Sequence, residues 1–191
     1  MKKSGVVFII IGCILMISAF CLFGYNNYEN KLAGIKADMA YGKIQESFKN
    51  MNMSNNSYEM DVVDIDGYGY IGTMNIPTLG LKLPIMSDWD NERMKISPCR
   101  YYGSIYTNDL VICSHSYDNL LGNIYKLNQG DLLVLTDMYG QDFIYEVKVV
   151  EVLGPDDVKE MIESDFDLTL YTCTKDNLNR LTVRLNRITT N

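Results

Sequence analysis

The chain's one histidine, His115, stands directly after a short apolar run at residues 110–114, and Cys173 stands directly after a second at 168–172. Arg180 opens a third run, in which strand alternation would point Leu181, Val183 and Leu185 one way and Arg180 and Arg184 the other. A thiol, an imidazole and a guanidinium are the ingredients of acyl transfer. A thiolate attacks a carbonyl far better than a thiol does, and a nearby cation stabilises it. An imidazole returns a proton to a leaving amine. A guanidinium keeps its proton, so it serves as a fixed donor to the oxyanion of a tetrahedral intermediate. Arg184 rivals Arg180 for that role, but Arg180 heads the strand, nearer Cys173, and is preferred. Spacing alone also permits a plainer reading, with the cysteine a small buried hydrophobe and the histidine an ordinary imidazole.

The elements that must hold these groups read as strands. Residues 70–76 and 79–85 are β-prone runs separated around Pro77. Segments 132–136 and 143–153 flank Asp137-Met138-Tyr139-Gly140, which predicts a hairpin. In the longer of these, Tyr145, Val147 and Val149 alternate with Glu146 and Lys148, so one face is wet. Gly154-Pro155 stops it, and 158–162 can make one or two helical turns. The apolar runs at 110–114, 168–172 and 181–188 complete a mostly β barrel or sandwich of roughly seven or eight strands with short helices. Chemistry mounted at strand ends on such a scaffold is well positioned.

The N-terminal part differs in kind. No charge occurs from Gly5 to Gly24, and residues 6–23 are almost continuously apolar. At about 1.5 Å per residue that run spans a hydrocarbon core of about 30 Å. Lys2 and Lys3 precede it and keep the N-terminus cytoplasmic by the positive-inside rule. The expectation is a single-pass signal-anchor in the cell membrane with everything after Tyr25 outside. A cleaved signal peptide would want a shorter apolar region and an A-x-A-like site, which 18–21 does not supply. Ile10-Ile11-Gly12-Cys13 resembles a lipoprotein processing box, which would lipidate Cys13 and leaves a further reading open. Residues 26–50 read as a polar helix with a weak apolar stripe through Leu32, Ile35, Met39, Ala40, Ile44 and Phe48, and 51–60 as a polar break. The domain plan is 1–24 cytoplasmic N-terminus and anchor, 25–57 helical stalk and linker, and 58–191 the catalytic domain.

The net charge of −7 and the absence of a basic cluster past the first residues argue against nucleic acid as a partner. Of the five cysteines, Cys13 and Cys21 fall in the apolar run, leaving Cys99, Cys113 and Cys173. Without a C-x-x-C pair or a histidine cluster, neither a zinc site nor a disulfide framework is indicated, and no cofactor is called for. The outer cysteines allow one disulfide and one free thiol, or three free thiols. Cys113 reads as a packing residue, with a regulatory disulfide to Cys173 as the lesser alternative. Asp137, Asp142, Asp156 and Asp157 fit no calcium-loop spacing and read as solvated turn residues.

Thr169-Leu170-Tyr171-Thr172-Cys173 resembles the TLxTC signature of the sortase family. Arg180-Leu181-Thr182-Val183-Arg184 is similar to the Arg-led strand that follows it, and Val111-Ile112-Cys113-Ser114-His115 to the strand that ends in the family's histidine. Tyr70-Ile71-Gly72-Thr73-Met74-Asn75-Ile76-Pro77 is similar to the family's first-strand pattern, so the resemblance covers about residues 68–188. It implies an eight-stranded β-barrel and a two-step acyl transfer with Cys173 as nucleophile, His115 as general acid/base and Arg180 as oxyanion partner. Thr172 and Ser114 would border the substrate. The implied partners are a surface protein or pilin bearing an LPxTG-like C-terminal sorting signal and an amine of a cell-wall precursor or pilin lysine, in a Gram-positive host.

Departures from the family pattern leave the subclass undefined. Ser114 replaces the glycine that many sortases place before the histidine. Residues 153–167 are too few for the class B helical insertion. Ser87-Asp88-Trp89-Asp90 lacks the Asp-Pro-aromatic pattern of the pilin-polymerising lid and lies after the second strand. Two other functions fit the same residues: a cysteine peptidase that hydrolyses without transfer, and an inert membrane-tethered binding domain on the same scaffold.

Overall fold

The computed structural model describes residues 3–48 and 59–188. The chain divides into two units at residue 33. Helix α1 (Lys3–Ser47) begins in the first. Its apolar side chains there are exposed, Phe8, Phe20 and Phe23 among them. Among the described residues α1 is the one helix long and apolar enough to cross a membrane.

In the second unit the helix continues with a different face. Ala33, Ala37, Ala40 and Ile44 are buried, at the three- and four-residue steps that keep side chains on one stripe. The stripe expected at Ile35 and Met39 is corrected, because both are exposed and the seam is built mainly of alanine. Small side chains let the helix lie close. A Cβ at Gly34 would come 2.8 Å from Asn119 Nδ2. The polar break expected at 51–60 falls almost wholly outside the described residues.

The strands are β1 (Val63–Ile65), β2 (Tyr68–Ile76), β3 (Leu81–Met86), β4 (Cys99–Tyr102), β5 (Leu110–Cys113), β6 (Leu132–Asp137), β7 (Asp142–Leu153), β8 (Leu168–Cys173) and β9 (Arg180–Arg187), with the short helix α2 (Val158–Ile162) before β8. The sheet runs β1-β2-β3-β4-β5-β8-β9-β7-β6, and β6 pairs back onto β2. Eight strands therefore close a barrel, and β1 extends β2 as a hairpin arm. Alternation sends Leu110 and Ile112, Leu168 and Leu170, and Val183 and Leu185 into the core. The intervening residues of β5, β8 and β9 face outward.

Closure depends on Gly72. Its φ of +149° sits at the irregular register between Tyr70 and Gly72, opposite Asp137 of β6. A Cβ there would lie 2.2 Å from the Thr136 carbonyl oxygen. Gly72→Ala is expected to lower unfolding stability by about 3 kcal/mol through backbone strain and lost β2–β6 pairing. Urea unfolding followed by circular dichroism measures it, and an unchanged midpoint would refute the role assigned to this glycine.

One aspartate departs from its sequence reading. Asp137 is buried, not solvated. Its carboxylate accepts the Tyr106 hydroxyl at 2.8 Å and the backbone N–H groups of Tyr139 and Gln141 at 2.9 Å each, closing the β6–β7 turn.

Candidate active site

Strands β5 and β8 run parallel, with Cys113 opposite Tyr171. Parallel strands present the same end together, so two residues further on His115 and Cys173 leave adjacent strands side by side on the outer face. Antiparallel pairing of β8 with β9 sets Arg180 directly opposite Cys173. Arg180 Nη1 donates to Cys173 Sγ at 3.5 Å and also lies 3.4 Å from the Asn179 carbonyl oxygen. The connection at 174–179 is tight because its own polar groups fold it. Thr174 N–H donates to Asn179 O at 3.0 Å, and Asn177 takes a left-handed φ of 59°. The Thr174 hydroxyl, and after it the Leu178 N–H, donate to Asp176 and hold its carboxyl below the usual carboxylate range.

His115 is fixed at two points. Its backbone N–H donates to the Met94 carbonyl at 3.1 Å, tying it to the β3–β4 loop. Its ring stacks on Tyr117, with centroids 4.3 Å apart and planes 18° apart. Ser114 and Thr172, expected beside the substrate, differ from one another. Ser114 lines the cavity described below. Thr172 is buried, absent from that lining, and donates its hydroxyl to the Ser114 carbonyl at 2.9 Å. It clamps β8 to the residue just before His115.

His115, Cys173 and Arg180 open onto one cavity of about 340 Å³. One wall carries Trp89, Met94, Tyr101 and Tyr171, and the other Pro155, Asp157, Val158 and Met161. The aromatic wall was missed in the sequence. The available signal was a lone tryptophan between aspartates in a polar loop, Asp88-Trp89-Asp90.

All five cysteines are free. Cys99 and Cys113 face each other across β4 and β5 and are buried. Burial pushes the Cys113 thiol up to about 12 and raises that of Cys99 as well. Neither forms a thiolate near neutral pH, and only Cys173 of the outer three reaches the cavity. Arg184 is engaged elsewhere. It is buried and donates to Glu151 at 2.8 Å, to the Thr169 hydroxyl at 3.0 Å, and to the carbonyls of Glu160 and Met161 at 2.8 and 3.3 Å. No cluster of metal-ligating side chains occurs among the described residues.

A sulfur, a guanidinium against it and an imidazole at the next strand end can perform acyl transfer through a thioester. The family model for the sortase domain matches residues 74–188. The chain belongs to the sortase family. Sortases are generally cysteine transpeptidases and are membrane-associated. Solved sortases of several kinds share this barrel. Clostridium perfringens sortase C, solved with the C-terminal cell wall sorting motif, is 23% identical, with TM-score 0.57 over 90% of this chain and 100% of that one. Corynebacterium diphtheriae sortase A is 21% identical, with TM-score 0.58 over 91% and 97%. The Clostridium perfringens sortase D5 transpeptidase is 20% identical, with TM-score 0.60 over 83% and 99%. At these identities the likeness is one of fold, and it spans classes A, C and D without defining a subclass for this sortase. No curated protein matches the chain in sequence.

Proposed function

We propose that this chain is a membrane-anchored transpeptidase that cleaves an LPxTG-like C-terminal sorting signal and transfers the acyl part to an amine. The observation that carries the reading is the Arg180–Cys173 contact at 3.5 Å, beside His115 on one cavity. Cys173 Sγ attacks the carbonyl of the scissile bond, and Arg180 donates to the oxyanion that forms. His115 protonates the departing amine, the C–N bond breaks, and a thioester remains. An incoming amine, from a cell-wall precursor or a pilin lysine, gives its proton to His115 and displaces the sulfur. Ser114 borders the substrate, and Thr172 contributes by holding the Ser114 carbonyl. No cofactor or metal is needed.

The apolar run at 6–23 on α1 supports an uncleaved anchor with the N-terminus inside. Residues 1–24 are then the cytoplasmic end and anchor, 25–57 a helix and linker in which Ala33, Ala37, Ala40 and Ile44 pack on the barrel, and 58–191 the extracellular catalytic domain. The test has two arms. Full-length protein in detergent is incubated with a sorting-signal peptide library, with and without an added amine. The expected product is the amide conjugate, whereas hydrolysis products alone would mark a peptidase. Protease added to intact protoplasts is expected to remove the catalytic domain and leave a membrane stub. Protection of the domain would reverse the topology, and lipid labelling at Cys13 would favour the lipoprotein reading.

A further inference from the structure

Trp89 is the only tryptophan in the chain and is 46% exposed. Its loop, residues 87–98, is held in place by named contacts. Asp90 Oδ1 accepts the N–H groups of Glu92 and Arg93 at 2.8 Å each, and the Asp90 carbonyl accepts Met94 N–H at 3.0 Å. The Met94 carbonyl in turn holds His115. The indole lies 5.2 Å from the Tyr101 ring at 43°, and Tyr101 meets Tyr171 edge-on at 5.5 Å. Tyr171 stands two residues before Cys173 on the same strand face. A continuous aromatic surface therefore leads from the sulfur out to an exposed indole.

Strand order assigns that surface a side. Across the outer face the sequence is Tyr101 on β4, His115 after β5, Cys173 on β8 and Arg180 on β9. Trp89 and Tyr101 thus lie beyond His115, with Tyr171 on the Cys173 strand between them and the sulfur, and Pro155 and Val158, which follow β7, lie beyond Arg180. His115 is the group that gives a proton to the leaving amine, so the leaving peptide departs on the His115 side. The same proton path run backwards requires the incoming amine to arrive there too. The acyl part is left on the Arg180 side.

The geometry points to Trp89 and Tyr101 as a binding site for the amine acceptor, selecting a primary amine on a long aliphatic stem, of the lysine class. This rests on the proposed transpeptidation. Methylenes of such a stem lie along the Tyr171 and Tyr101 rings while the amine reaches the thioester, and the backbone carrying the stem meets the indole. A short glycine-class amine reaches the thioester without touching Trp89. In the step itself the nitrogen–carbon bond forms, the carbon–sulfur bond breaks, and the amine proton passes to His115.

The experiment measures how the acyl-enzyme of the full-length protein partitions between water and amine. The amines are Nα-acetyl-lysine amide and glycine amide, each at several concentrations. The wild type is expected to favour the lysine derivative. Trp89→Ala is expected to lower the ratio of aminolysis to hydrolysis for that amine about tenfold, equivalent to about 1.4 kcal/mol, and to change the glycine ratio far less. Trp89→Phe, which keeps a ring, is expected to restore most of the preference. A misfolded variant would lose hydrolysis and aminolysis together, leaving the ratio intact. Equal ratios in wild type and Trp89→Ala, with the thioester forming normally, would overturn the inference and leave transpeptidation standing. Failure of the wild type to form any thioester would overturn both.

Discussion

Replacing Cys173 with alanine is expected to reduce turnover of a sorting-signal peptide to background while the barrel stays folded. The sulfur is the one atom that forms a covalent bond to substrate in the proposed cycle, so no other group carries a residual path. Cys99 and Cys113 do not substitute for it. Both are buried, and burial raises their thiols far above neutral pH. The fold is expected to survive because Cys173 faces outward at the end of β8, away from the core side chains Leu168 and Leu170. Quenched-peptide turnover and circular dichroism on the full-length variant are the paired measurements. Intact mass adds a direct reading, since only the wild type should accumulate the thioacyl adduct. Turnover in the alanine variant would remove Cys173 from the mechanism.

Arg180 and Arg184 are expected to fail in opposite ways when each is changed to lysine. An oxyanion donor must come within about 2.7–3.1 Å of the developing charge, and losing one costs on the order of 3 kcal/mol. Arg180 lies opposite Cys173 and already contacts its sulfur. Lysine at 180 keeps the charge and loses the planar fork. A fall in kcat on the order of 100-fold, with the unfolding midpoint nearly unchanged, is the expected result. Arg184 lies opposite Thr169, four residues along each strand from the Cys173–Arg180 pair, or about 13 Å at ~3.3 Å per residue. Its guanidinium joins β9 to Glu151 of β7 and to the Glu160 and Met161 carbonyls of α2. Lysine cannot make those bonds together, and acceptors left buried without donors cost about 1–3 kcal/mol each. Arg184→Lys should therefore lower stability by several kcal/mol and leave kcat of the folded protein within severalfold of wild type. Steady-state kinetics and urea unfolding on the two variants separate the cases. A larger kcat loss at Arg184 would exchange their roles.

Much of the barrel was legible because its strands are short runs, either continuously apolar or alternating with a period of two. Runs at 110–114, 132–136, 168–172 and 181–188 appear as β5, β6, β8 and β9 almost residue for residue. The hairpin at 137–142 declared itself through turn residues. Strand β4 did not. It is four residues long between Pro98 and Gly103 and pairs with β3 through one register position, so its extended form comes from its neighbours. The α1 seam was read correctly at Ala40 and Ile44 and misread at Ile35 and Met39, for a related reason. Alanine gives a weak hydropathy signal, and Ala33, Ala37 and Ala40 are buried because small side chains permit close approach.

The sequence by itself determined which residue types stand at strand ends, the family they resemble, and the anchor-length apolar run. Those are local properties, written within a few residues of one another. Three matters were decided only by the tertiary structure. Register gave Arg180, not its face-mate Arg184, the position opposite Cys173. The covering of β9 by α2 turned Arg184 from a rival into a structural guanidinium. The long separation of Trp89 from Cys173 in the chain vanished when β4 and β8 came to flank β5, which put the aromatic wall on the site. Alternation specifies which face a side chain takes within its own strand. Which strand lies beside it depends on closing loops of very different length, and that is settled only when the whole barrel buries its core.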